Sequence, residues 1–237
     1  MSETKRTNMK PEERRAQLLS VAQHLFFNKG YDDTTMADIL QEAGVSKGGF
    51  YHHFESKDAL FFALLDQLIS QVATALEGIA ADQSETVTQR MVAVLATEGQ
   101  FLKRSNLEPQ MQIINVMQAE KNIGMSARFD RMIREMMAPI VTGLIQEGVK
   151  TGEFKVHDPE AAALVILHMI RAFEPLQTVV YRYRNTSEAA EHGDRLRNVL
   201  TQQFIGVDLI LGVPLGTTSY GWPGLVDAIM ALPQKPV

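Results

Sequence analysis

An all-α fold is what this 237-residue sequence predicts, on three observations. Apolar residues recur at threes and fours along almost the whole chain, with no convincing period-two alternation. Glycine, asparagine and proline fall where they divide this pattern into segments of helical length. A hydrophobic content of 45% with 22% charged residues suits a globular chain with a substantial core.

The elements follow in order. Pro11 with Glu12 and Glu13 suits a helix start, and Leu18, Val21, Ala22, Leu25 and Phe26 share one face before Gly30 stops the helix. A short second helix opens at Thr35, where Asp38 can complete a capping box. It carries Met36, Ile39, Leu40 and Ala43 and ends at Gly44. Ser46 caps a third helix from Lys47 to Phe54, and Ser56 caps a fourth that runs to about Ala81. Further helices are expected at 85–104, 107–121, 125–151, 158–183 and 188–212. Pro139 and Pro175 fall inside two of them as potential kinks. From Val213 the chain is rich in proline and glycine, with room for a turn of helix near Leu225–Ala231.

Composition removes several functions. With no cysteine there are no disulfides and no thiolate metal sites. Six scattered histidines have no ligand spacing, so no metal is expected. The polar start "MSETKRTNMKPEERR" lacks the apolar core of a secretory signal, and no run approaches the ~20 apolar residues of a membrane span. The expectation is a cytoplasmic protein without a membrane partner. No nucleophile elbow, phosphate-binding glycine loop or paired carboxylate stands out, so neither an enzyme nor a cofactor is expected.

The informative stretch is "VSKGGFYHHFESKDAL", Val45 to Leu60. Gly48 and Gly49 each cost about 1 kcal/mol of helix stability relative to alanine, and five ring-bearing residues follow at once. Helix, Gly44 turn, helix is the spacing of a helix-turn-helix, whose second helix enters the major groove by its N-terminal residues. A glycine there lets the backbone approach DNA closely. Lys47 could reach a guanine edge or a phosphate, and Tyr51 and His52 could donate to phosphates. Phe50 and Phe54, four apart, should pack on the first two helices. The bland alternative is a structural hairpin with core aromatics. The net charge of −5, and eight Lys/Arg against nine Asp/Glu in residues 1–60, show that bulk charge does not serve DNA. Local placement could: Lys5, Arg6, Lys10, Arg14 and Arg15 cluster at the front, and Lys47 and Lys57 bracket the stretch.

"TTMADILQEAGVSKGGFYHHFESKDALFFALL" resembles the DNA-binding signature of the TetR family of transcriptional regulators, over about residues 11–65. The resemblance implies a helix-turn-helix domain over 1–56, a helical ligand-binding and dimerisation domain over 57–212, and a tail over 213–237. It implies phosphate contact by Thr35, approach to bases by Lys47, Gly48 and Gly49, and backbone contacts by Tyr51, His52 and Lys57, with Ser46 also in the DNA-binding set. Position 37 often carries a longer polar or basic residue in base-reading relatives; Ala37 here leaves that task to the third helix and any N-terminal arm.

In the body, methionine enrichment fits either an apolar ligand pocket or an ordinary core. The candidate lining is Met111, Met117, Met137, His168 and Phe173. His168, Arg171 and Glu174 share a stripe that could be polar groups of a ligand pocket, with a subunit interface or a satisfied core pair the favoured reading. Helices 158–183 and 188–212 are the expected homodimer interface. The expected function is that of a repressor on a near-palindromic double-stranded operator, released by an apolar or aromatic small molecule. The alternative is a helical protein-interaction module or adaptor without ligand response.

Overall fold

The computed structural model describes residues 9–104, 123–171, 173–219 and 223–232, and every regular element among them is helical. In chain order these are α1 (Pro11–Asn28), α2 (Met36–Ala43), α3 (Lys47–Tyr51), α4 (Lys57–Ala80), α5 (Val87–Arg104), α6 (Ile123–Thr151), α7 (Pro159–Arg171), α8 (Glu174–Tyr183), α9 (Ala189–Leu211) and α10 (Pro223–Met230). Two compact units result, Met1–Leu68 and Ile69–Val237.

In the N-terminal unit α1 packs against α2. Leu18, Ala22, Ile39, Phe50 and Leu60 are wholly buried. Phe26, Tyr31 and Phe61 meet with ring centroids 4.7–5.6 Å apart, and Gln17 Nε2 donates to the Ala43 carbonyl at 3.2 Å.

In the second unit α5, α6, α7 and the C-terminal part of α9 share a core that includes Met91, Val141, Ile145, Ile166 and Leu211. A second cluster joins α8, α9 and α10 through Val180, Leu196, Leu200, Val226 and Ile229. Arg90 is buried and forks onto Glu147, with 2.6 and 3.1 Å bonds, while also donating to the Ala80 carbonyl at 2.6 Å. That fork ties the end of α4 to α6.

Several expectations need correction. The third helix is five residues long, and its last turn relaxes after Tyr51 into backbone bonds from His53 and Phe54 to the Phe50 carbonyl. The helix expected over 158–183 is two, α7 and α8. Pro175 sits in the first turn of α8, where a missing N–H and a fixed φ are tolerated. Pro139, by contrast, lies within one continuous α6. The helix expected at 107–121 lies outside the described residues. The C-terminal segment contributes α10, which buries Leu225, Val226 and Ile229 against α8 and α9. By length and composition alone, α4 and the run 159–183 are apolar enough to cross a membrane, against the sequence expectation. Core helices pass the same test, and α4 and α7 both place apolar residues in the cores, Leu60 and Ile166 among them.

Gly148 of α6 has no room for a side chain: an added Cβ would lie 2.2 Å from the Phe154 ring. Gly143, on the same helix, has open space around it. Gly148→Ala should therefore destabilise the protein by about 1–3 kcal/mol through overpacking. Gly143→Ala should stabilise it by up to about 1 kcal/mol. Paired urea titrations check the opposite signs.

Candidate nucleic-acid interface

The turn between α2 and α3 is built by local chemistry. Thr35 Oγ1 accepts from Asp38 N at 3.1 Å, and the Asp38 carboxylate accepts from Thr35 N at 2.7 Å and from Thr35 Oγ1 at 2.8 Å. This reciprocal cap fixes the start of α2. Lys29 Nζ closes on the same carboxylate at 2.7 Å. The Lys29 bond first, then the Thr35 bonds, hold the Asp38 carboxyl well below its ordinary value of 3.8. At the other end Gly44 adopts φ 63°, the left-handed conformation that ends a helix and turns the chain. Ser46 then caps α3, its hydroxyl accepting from Gly49 N at 3.1 Å.

The tip of α3 is open. Ser46, Lys47 and Gly48 are exposed, and a Cβ added to Gly48 would meet nothing within 4 Å. Tyr51 is 46% exposed, its ring edge-on to Phe50 at 5.4 Å, with the Lys47 ammonium 6.0 Å from its centroid. His52 is exposed beside it. Behind this face Phe50 and Phe54 are buried 6.0 Å apart, and the Arg15 guanidinium lies over the Phe54 ring at 5.2 Å. Thus Ser46, Lys47, Gly48, Tyr51 and His52 are brought onto one exposed segment.

Two expected phosphate contacts are engaged elsewhere. The Thr35 hydroxyl proton is directed to Asp38. Lys57 Nζ donates to the carbonyls of Tyr31 at 2.8 Å and Thr34 at 3.0 Å, and lies 4.1 Å from the Tyr31 ring centroid. Lys57 therefore braces the connection between α1 and α2 from the start of α4. Tyr31 in turn donates to Asp58, and burial first, then that carboxylate, push its hydroxyl pKa far up. This Tyr31–Lys57–Asp58 brace has no local signature, because its partners lie 26 and 27 residues apart. A second feature not read from the sequence is the cationic surround of His53. Desolvation first, then the charges of His52, Arg14 and Arg15, lower its pKa.

The body residues proposed for a ligand are dispersed. Met137 is buried in the α5–α6–α7 core and Phe173 in the α8–α9–α10 cluster. His168 is exposed on α7, its Nδ1 2.8 Å from the Leu164 carbonyl. Arg171 pairs with Asp130 at 2.6 Å. Met111 and Met117 lie outside the described residues. Met137, His168 and Phe173 thus do not form one buried lining. No group of three metal-ligating side chains occurs among the described residues.

Comparison with known proteins agrees with this architecture. Residues 18–64 match the family described as bacterial regulatory proteins, tetR family. Residues 88–193 match a tetracyclin repressor-like C-terminal domain. The HTH-type transcriptional regulator TtgR of Pseudomonas putida is 44% identical over 64 residues, which span 27% of this chain and 30% of TtgR. The HTH-type transcriptional repressor KstR2 of Mycolicibacterium smegmatis is 27% identical over 163 residues, 63% of this chain and 71% of that protein. The crystal structure of a TetR-family regulator from Pectobacterium atrosepticum shares the fold with a TM-score of 0.58 at 23% identity, covering 83% of this chain and 94% of its own.

The Asp38 network sets a pH dependence. Its folded pKa lies below the unfolded value, so the stability it contributes is present above about pH 4 and is lost as pH falls below it. Urea midpoints measured from pH 6 to pH 2 should show Asp38→Asn less stable than the parent near neutrality. The gap between them should narrow on acidification.

Proposed function

The chain belongs to the TetR family of bacterial regulatory proteins, and we propose that it is a repressor that binds a near-palindromic operator as a homodimer and leaves it when a small molecule occupies the body. One observation carries the reading: α3 and its C-cap present Lys47, Gly48, Tyr51 and His52 to solvent while Phe50 and Phe54 are sealed behind them. A helix tip without side-chain bulk can bring its backbone against base edges, and Lys47 beside it can reach a guanine or a phosphate. Tyr51 and His52 serve as backbone donors, which set register rather than sequence preference. Ser46 contributes as the cap that orients α3, and Lys57 and Thr35 as the groups that fix the turns before it.

Dimerisation is supported by large apolar side chains left exposed on α7 and α9. Leu164 and Val165 on α7 and Leu209 on α9 are 55%, 48% and 67% exposed. Large apolar groups so exposed on neighbouring long helices suit two-fold packing against the same helices of a second copy. The two α3 helices would then sit about one DNA turn apart, roughly 34–36 Å. Ligand release is a population shift: a molecule bound better by the state whose heads mismatch the groove draws the dimer off DNA. KstR2, named as a repressor, supports that direction of control.

The test is selection of bound fragments from random DNA by the purified protein, followed by a small-molecule screen for release. Failure to enrich any inverted repeat would remove the proposal. On the selected operator, Tyr51→Phe keeps the ring packing and removes the hydroxyl. It should weaken binding by about tenfold, the loss of a bond to a charged phosphate, with the thermal midpoint unchanged. With about three phosphates neutralised per protomer, the log–log salt slope of the dimer should be near −5.

A further inference from the structure

Two buried polar groups on α8 have no role in the DNA-binding head and no hydrogen-bond partner among the described residues. Phe173, Gln177 and Val180 follow at the spacing of one helix face. Phe173 and Val180 belong to the apolar cluster that α8 forms with α9 and α10. Between them Gln177 is 1% exposed, and its Oε1 is sealed from solvent without a hydrogen-bond partner. The next residue, Thr178, is 5% exposed, and its hydroxyl is sealed in the same way. Buried polar atoms in folded proteins are nearly always bonded, so two consecutive orphans on a ten-residue helix point to a bound partner.

Other buried polar groups nearby are satisfied. Gln203 donates its amide to the Met169 carbonyl, and Asp208, fully buried, accepts from the amides of Gly216 at 2.6 Å and Thr218 at 2.9 Å. The remaining orphan among the described residues, Arg90 Nε, belongs to a guanidinium whose other nitrogens already hold Glu147 and Ala80. Among the described residues, Gln177 Oε1 and the Thr178 hydroxyl are the orphans left to explain.

We propose that Gln177 and Thr178 form the polar recognition pair of the effector site, and that the effector is a neutral molecule with an apolar or aromatic body carrying a hydroxyl or N–H group. The inference rests on the effector-responsive reading above and specifies its ligand class. An amide oxygen only accepts, so its partner must donate, whereas the threonine hydroxyl can give or take. The buried charged side chains among the described residues, Arg90 and Asp208, already hold partners within the protein, so an ionised ligand would enter uncompensated.

Matched aryl pairs test this: phenol and toluene, 1-naphthol and 1-methylnaphthalene, 4-hydroxybiphenyl and 4-methylbiphenyl. Calorimetry on the full-length protein gives affinity, and fluorescence polarisation on the selected operator gives release. In at least one pair the hydroxylated member should bind at least tenfold tighter than its methyl twin. Gln177→Leu and Thr178→Val should each reduce that preference to under threefold. Without ligand, Thr178→Val should leave the thermal midpoint unchanged or raised, since it removes an unsatisfied group. The proposal is overturned by no binding of any hydroxylated member, by equal affinity within every pair, or by a midpoint several degrees lower for Thr178→Val. Aryl release of DNA without hydroxyl preference would overturn this pair and leave the effector reading standing. Hydroxyl preference with the operator still bound would support the pair as a ligand site and overturn the effector reading.

Discussion

The N-terminal unit depends on the burial of Phe50. A five-residue helix containing Gly48 and Gly49 has no stability of its own, since nucleation is unfavourable and each glycine costs about 1 kcal/mol. Burying a phenylalanine contributes about 1.5–3 kcal/mol, and Phe50 is joined by Phe54 under the same helix. The two rings outweigh the two glycines, so α3 can remain thin on its exposed side. Ser46 and the Tyr31–Lys57–Asp58 brace hold the helix ends and the preceding turn. Stability and recognition are thereby separated: anchors face inward, and contacts face outward.

Much of this unit was legible locally. The bounds of α1, the Thr35–Asp38 capping box and the left-handed Gly44 all arise from residues within one or two turns of each other. The family resemblance rested on the same residues. What escaped was set at a distance. Lys57 reads as a surface cation beside an aromatic run, and only the fold brings Tyr31 and Thr34 carbonyls to its ammonium.

In the body the helical period is a weaker guide, because apolar spacing continues across Phe173 from α7 into α8. Pro175 was legible as an interruption, yet a proline in a helix interior and one in a first turn look alike until the preceding residues are placed. α10 was legible only as a turn of helix near Leu225–Ala231, because its proline- and glycine-rich flanks masked the buried face formed by Leu225, Val226 and Ile229. The unbonded state of Gln177 and Thr178 has no sequence signal, since a glutamine and a threonine on a helix ordinarily face water or a partner.

Gly48→Ala tests the central claim most directly. A methyl group there meets nothing in the free protein, so the variant should fold at least as stably as the parent, by up to about 1 kcal/mol on helix propensity. If the α3 backbone lies against base edges, the same methyl should lower affinity for the selected operator by at least tenfold. Undiminished operator affinity in a folded Gly48→Ala protein would contradict the account.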